Sequence, residues 1–313
     1  MLVGEVRSGL VEARHPVTVA AVDGSGRPVA SFGEAIDRPF YFRSAAKPFQ
    51  GLVSQRFGAA LVPEQLAVAC GSHGGQPVHL AYVATMLAEV GLDVSALRCP
   101  PSWPRSASAT RRVAAAGLTL RPLFHNCSGK HAAMLRACAA QGWSTADYTD
   151  PGHPLQRAVL VYAGDVTGEP LTPVGVDGCG VPTFRVTVPG LAAAYARLAT
   201  DPDLAPVADA MYRFSSLTSD GELPEAELAR WVPGVVKGGA RGCVGLAWYG
   251  GLGIAAKAWT GEISVAVIGV IEMLRRLGLL PAYQEEALAS VARPAVLGGG
   301  RPVGALEPIP DAT

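Results

Sequence analysis

The sequence predicts an α+β fold, a mainly antiparallel sheet drawn from both chain ends with a helical lobe from the middle of the chain beside it. The pattern of segments carries this prediction. Short β-rich runs separated by turn signals fill about the first 35 residues and return after residue 171, and helix-period segments occupy the interval. Composition agrees, since 49% hydrophobic and 17% charged residues over 313 positions give a globular chain a sizeable core.

Taken in order, "GEVRSGLVEA", "VTVAAVD" and "VASFGEA", with the turn "GSGRP" before the last, read as an antiparallel meander. From Ser44 helices are predicted over about 44–57, 63–70, 77–90, 106–116, 128–141 and 153–168, with Gly-, Pro- and Cys-rich loops between them. Strand signals resume at "TPVGVDG" and "PTFRVTV", and a helical stretch follows at about 190–214. "VVKGGARGCVGLAWYGGLGIAAKAWTG" then reads as a glycine-rich strand pair, ahead of an amphipathic helix at about 262–278. The expected organisation is one catalytic unit over 1–300, with a sheet lobe at about 1–43 and 171–280, a helical lobe at about 44–170 and a Gly/Pro-rich tail over 301–313. A cleft is expected between sheet and helices.

Twenty-six basic residues balance 26 acidic ones, so no net field draws the chain to nucleic acid or to an anionic membrane, and a small molecule is the expected partner. The start "MLVGEVRSGLVEARH" lacks the pattern of a signal peptide, and "ISVAVIGVIEMLRRLGLL" is broken by Glu272, Arg275 and Arg276. The expectation is a cytoplasmic protein. Six cysteines are then free thiols or metal ligands rather than disulfides; Cys138 and Cys243 read as core.

Among the 26 basic residues only Lys47, Lys130, Lys237 and Lys257 are lysines. Arginine serves for surface charge, but it does not lose its proton, whereas a desolvated lysine does. Each lysine is therefore a candidate for chemistry. In "RSAAKPFQ", Ser44 and Lys47 stand one helical turn apart, and Pro48 sets the pair near a helix start, where N–H groups favour negative charge. A neutral lysine so placed can take a serine's proton, although short Ser-x-x-Lys motifs are more often solvated helix surface. "ACGSHGGQP" carries Ser72 and His73 in a glycine-rich loop, Ser72 suited to relay a proton and His73 to a structural or binding role. "HNCSGKHAAML" and "VDGCGVP" bring Cys127, Lys130 and Cys179, which fit either buried thiols or a metal site. Lys257 lies in an apolar predicted strand, suited to the edge of a site, as in the Lys-Thr-Gly strand of many Ser-x-x-Lys enzymes. Lys237 has no assigned role.

At these blocks the chain resembles the rhizobial-type L-asparaginases, the asparaginase II family. "RSAAKPFQ" matches its Arg-Ser-x-x-Lys-Pro-x-Gln block, "NCSGKHAAML" its Cys-Ser-Gly-Lys-His block and "VDGCGVP" its Asp-Gly-Cys-Gly block. The resemblance implies a fold like that of serine β-lactamases and glutaminases, a homodimer, and hydrolysis of a small-molecule amide. It implies Ser44 as nucleophile, Lys47 as base, Ser72 with Lys257 as a second Ser–Lys pair, and zinc on Cys127, Lys130 and Cys179 that supports substrate geometry. Arg43, His73, Gln76, Asp177 and Arg241 are then the candidate substrate-binding residues. The alternatives are acyl transfer to an amine and a non-catalytic zinc- or small-molecule-binding relative.

Three departures stand out. Gln76 replaces the family's glutamate after the Ser-His pair, Arg241 replaces the glutamate of its Gly-Ala-Glu-Gly segment, and "SSLTSDGELPEAELARW" replaces its Arg-x-Asp-Thr block. Losing carboxylates weakens the grip on an ammonium group, and a guanidinium favours an anion. The expected substrate is therefore an amide other than free L-asparagine, either without a free α-amino group or with extra negative charge.

Overall fold

The computed structural model describes residues 1–219 and 221–310. Its main sheet is antiparallel throughout. The strands are β1 (Leu2–Arg7), β2 (Leu10–Asp23), β3 (Pro28–Phe32), β4 (Phe40–Tyr41), β5 (Val174–Val176), β6 (Pro182–Val186), β7 (Gly234–Gly239), β8 (Cys243–Trp248), β9 (Leu252–Ala258), β10 (Ala295–Gly298) and β11 (Arg301–Ile309). The order across the main sheet is β10-β11-β1-β2-β9-β8-β7, with β3 also on β2; β4, β6 and β5 form a separate small sheet. The N-terminal and C-terminal strands therefore meet in one sheet, as the segment pattern predicts.

The middle of the chain supplies helices α1 (Lys47–Ser54), α2 (Pro63–Cys70), α3 (Pro77–Ala88), α4 (Ala107–Ala115), α5 (Ser128–Gln141) and α6 (Pro154–Thr167). After β6 come α7 (Val188–Thr200), α8 (Ala205–Arg213), α9 (Ser215–Thr218) and α10 (Pro224–Trp231). After β9 come α11 (Ile263–Arg276), α12 (Ala282–Ala287) and α13 (Ala289–Ala292). Strand alternation sorts the sheet's side chains between two cores. Ala20, Val22, Val235 and Ala255 join the helical lobe and α7, whereas Val19, Ala21, Val236, Ile254 and Ala256 pack with α11. Among the described residues no helix is long and apolar enough to cross a membrane.

One expectation gains detail and one changes. Residues 190–214, expected as helical, form two helices because the Asp201-Pro202 step cannot continue an α-helix and opens a 3-10 turn, Pro202–Leu204. The Gly/Pro-rich end is not a loose tail: β10 and β11 form a hairpin whose turn uses Gly299 and Gly300, both at positive φ, and β11 pairs with β1 over six residues. Residues 311–313 of the expected tail lie outside the described residues.

The glycines of β8 and β9 have a packing role that serves the site. A Cβ at Gly253 would sit 1.9 Å from the Ala192 carbonyl oxygen and 2.2 Å from the Ala196 nitrogen, so α7 lies directly on the strand. Gly245 leaves room in the same way for the Tyr195 ring, whose hydroxyl donates 2.9 Å to the Ala45 carbonyl beside Ser44. Gly253→Ala is expected to cost about 1–3 kcal/mol by overpacking. A lowered urea midpoint at unchanged m checks this.

Candidate active site

All four lysines are buried, none more than 6% exposed. An unpaired ammonium is expensive away from water, so such amines either find a counter-charge or shed their proton. The chain uses both solutions.

Arg43–Ala46 form a 3-10 turn leading into α1, with Ser44 half-buried on it and Lys47 fully buried behind it. Arg43 takes a φ of +52°, a conformation disfavoured for a residue with a Cβ, and its surroundings fix it there. Its guanidinium binds Asp177 at 2.6 Å and its N–H donates to Thr183 Oγ1 at 3.2 Å. Arg43 and Asp177 thus tie the serine turn to the Cys179 loop.

Lys47 Nζ donates to the Gly71 carbonyl, to Ser72 Oγ at 3.0 Å and to the Asn126 carbonyl at 3.3 Å. Burial, helped by the Lys130 charge, lowers its pKa against the opposing pull of the Cys127 and Cys179 thiols. Ser72 is held from behind by its own N–H, which donates 2.7 Å to the Thr218 carbonyl of α9. The pairing therefore differs from Ser44–Lys47 beside Ser72–Lys257. Lys47 bonds to Ser72, while Lys257 Nζ donates to the carbonyls of Arg241 and Ala258 and sits over the Phe40 and Trp259 rings.

Strand order decides which backbone borders the Ser44 turn, and it is not that of Lys257. Its strand, β9, lies between β2 and β8, so both of its edges are spent on ladders, whereas β7 ends the sheet and keeps one edge free. On β7 the sequence Lys237-Gly238-Gly239 runs beside the Ser44 turn, with a Cβ at Gly239 falling 3.1 Å from the Ala45 nitrogen. Burial, followed by the Lys47 charge, lowers the Lys237 amine to about 7.

A cavity of about 360 Å³ opens between β7 and the helical lobe, where the cleft is expected. Ser44, Ser72, Asn126, Gly238, Gly239, Arg241 and Gly242 line it, with Arg105, Glu225 and Glu262. Larger hollows of about 460 and 710 Å³, around Asp23 with Asp165 and around Arg56 with Arg157, contain no serine–lysine pair.

Of the expected binding residues only Arg241 lines this cavity. His73 is fully buried, its Nε2 3.1 Å from Ser128 Oγ and its ring stacked on His79, so it braces the Ser72 loop against the start of α5. Gln76 donates to Ser106 and Ser108 at the head of α4, next to Arg105. Sequence reasoning missed Arg105, Asn126, Glu225 and Glu262. Glu225 had a signal: it lies three residues before Leu228 on the buried stripe of α10, an odd place for a carboxylate.

Cys127, Lys130 and Cys179 do come together. Lys130 Nζ lies 3.1 Å from Cys179 Sγ, and all three side chains are buried. A hydrogen bond from Cys127 and then the Lys130 charge hold Cys179 as a thiolate against burial, while Cys127 keeps its proton. Burial alone would lower the Lys130 amine, but Cys179, Cys127 and Asp177 together raise it. Two sulfurs and an amine suit a soft divalent ion once the amine gives up its proton. Among the described residues no group of three or more His, Cys, Asp and Glu is placed to hold a metal, and the third donor here is a lysine.

By class the protein is a member of an amide-hydrolase family. It belongs to the L-asparaginase II family, whose model matches residues 3–308. Comparison with curated proteins finds no match. Solved structures to which it is similar include a β-lactamase from Mycobacterium bovis, at 16% identity over 88% of this chain and 95% of the other with a TM-score of 0.44. Mglu in its tris and glutamate form is similar at 16% identity over 88% of this chain and 63% of the other, with a TM-score of 0.40. A β-lactamase from Desulfarculus baarsii is similar at 15% identity over 84% and 92%, with a TM-score of 0.35. The chain spans a little under two thirds of the length of Mglu.

Proposed function

We propose that the protein hydrolyses the side-chain amide of a small substrate through an acyl-enzyme on Ser44. The observation that carries this reading is that Ser44 and Ser72 share one cavity while the buried Lys47 amine bonds Ser72 from behind. The Ser44 hydroxyl attacks the amide carbonyl, and its proton passes through Ser72 to Lys47, which burial disposes to be a neutral acceptor. The free edge of β7, at Gly238 or Gly239, supplies an N–H group to the developing oxyanion. Lys47 returns the proton by the same route to the departing nitrogen, and water then hydrolyses the ester. Three lysines whose amines burial lowers, Lys47, Lys237 and Lys257, favour this reading over a binding module, which has little use for depressed amines. The test is ammonia or amine release by the wild type beside Ser44→Ala.

Zinc belongs to the same proposal. Cys127, Cys179 and Lys130 would hold it, and bound there it would supply a fixed positive charge that orients substrate. The chain's own residues around it, Asp177 and Arg43, link that loop to the Ser44 turn. Cys179→Ser is expected to take the purified protein from about one zinc per chain to none, since two remaining donors do not make a structural site. Elemental analysis of wild type and variant checks it, and equal zinc in both would remove the metal from this site.

A further inference from the structure

The departures from the family pattern suggest a site stripped of acid, yet the cavity holds a buried carboxylate that the sequence comparison passes over. Glu225 is only 4% exposed and lines the cavity with Ser44 and Ser72. Its Oε2 has no hydrogen-bond partner among the described residues. The carboxylate lies against the bare backbone of β7, where a Cβ on Gly238 would come within 2.6 Å of Oε1. A buried acceptor left open is costly unless something donates to it, and the cavity is where a donor can arrive.

Opposite charge stands in the same cavity. Arg105 and Arg241 line it, and among the described residues neither guanidinium has an ion pair or a hydrogen bond. Arg241 is held in place by its backbone, at a φ of +66° and with its carbonyl accepting from Lys257. Much of the remaining wall is glycine, namely Gly238, Gly239, Gly242 and Gly261, so no side chains fill the space. At about 360 Å³ the cavity matches on the order of a dozen waters, more than the side-chain amide of a free amino acid displaces.

We propose that Glu225 seats the free ammonium group of the substrate and that Arg105 and Arg241 seat two anions, so that the preferred substrate is an isopeptide-like amide: an α-amino acid whose side-chain amide nitrogen carries a second, acidic group. An α-amino acid brings one ammonium, for Glu225, and one carboxylate, for one arginine. The second guanidinium then needs an anion, and the amide nitrogen is where one can be added without altering the part already recognised. The proposal rests on the hydrolase reading and selects the more anionic of its two substrate alternatives, with the α-amino group kept. In the reaction the amide C–N bond breaks as the Ser44 ester forms, the amine leaves with the proton taken from serine, and water hydrolyses the ester to a free carboxylic acid.

The experiment compares β-aspartyl-glycine, its N-acetyl derivative and L-asparagine with the wild type, Glu225→Gln, Arg105→Gln and Arg241→Gln, reading released glycine or ammonia. The wild type is expected to favour β-aspartyl-glycine over L-asparagine by about tenfold or more in kcat/KM, as one charge-assisted contact allows. Glu225→Gln should lose about 10- to 100-fold on β-aspartyl-glycine, chiefly in KM, and little on the N-acetyl derivative. One arginine variant should lose on β-aspartyl-glycine and its N-acetyl derivative but not on L-asparagine, and the other on all three amides. Equal losses with and without the acetyl group, or L-asparagine turned over as well as the isopeptide, would overturn the proposal. Binding to Ser44→Ala by calorimetry separates recognition from catalysis if no amide is turned over. Glu225-dependent binding of β-aspartyl-glycine would then uphold the recognition proposal while the hydrolase reading falls, and no binding would overturn it. Thermal melts of each variant exclude a folding defect as the cause.

Discussion

Replacing Ser44 by alanine is expected to lower amide hydrolysis by about 10⁴-fold or more, since removing a nucleophile leaves only the binding and oxyanion contributions. The structure makes this a clean substitution. Ser44 is half-buried and lines the cavity, and among the described residues its hydroxyl makes no hydrogen bond, so the change breaks no hydrogen bond of the fold. Its main chain keeps the tie that matters locally, the Lys47 N–H to the Ser44 carbonyl. Stability should therefore stay within about 0.5 kcal/mol of wild type. Ser72 is the rival nucleophile, because the Lys47 amine bonds it directly. Mass spectrometry of the trapped acyl-enzyme decides between them: the added mass should map to the peptide holding Ser44, and mass on the Ser72 peptide would reverse the two serines' roles.

The helical lobe was legible because its signals are local. Pro at the first turn of the helices starting at 63, 77 and 154, with apolar periodicity behind it, fixes those starts to within a residue or so of the predicted ranges. The site was legible where long blocks resembled a known family, which brought Cys127, Lys130 and Cys179 to one place. What the sequence did not disclose depends on contacts between distant segments. That the backbone of β7 rather than that of the Lys257 strand borders the cavity follows from β7 ending the sheet, a fact of strand order that no local pattern encodes. The same holds for Lys47 reaching Ser72, which requires α1 and the loop after α2 to meet across 25 residues. Glu225 was hidden for a different reason. A carboxylate in a polar-looking stretch passes for surface, and only the packing of Leu228 three residues on turns that face of α10 inward. The terminal hairpin was obscured by its glycines, which weaken a strand's signature but supply the positive φ its turn requires.

Lys47→Met is expected to reduce turnover by about 10²–10⁴-fold, the range for losing a positioned general base. The side chain suits the change: an unbranched apolar chain replaces the stem of a fully buried lysine near the buried Cys70. The penalty of burying an amine disappears, while the Gly71 and Asn126 carbonyls and Ser72 lose their donor at a cost of about 1–3 kcal/mol. These effects oppose each other, so the melting temperature should move little while activity collapses. Lys47→Arg gives the sharper test of the role. A guanidinium can donate to the same oxygens, but it cannot give up its proton at any working pH and so cannot accept one from serine. Both variants should then fail at acylation, visible as the loss of the first-turnover burst of released amine rather than a slower steady state after a normal burst. A burst retained in Lys47→Arg would show that Lys47 acts by its charge, stabilising the oxyanion side of the reaction, and that Ser44 loses its proton to another group.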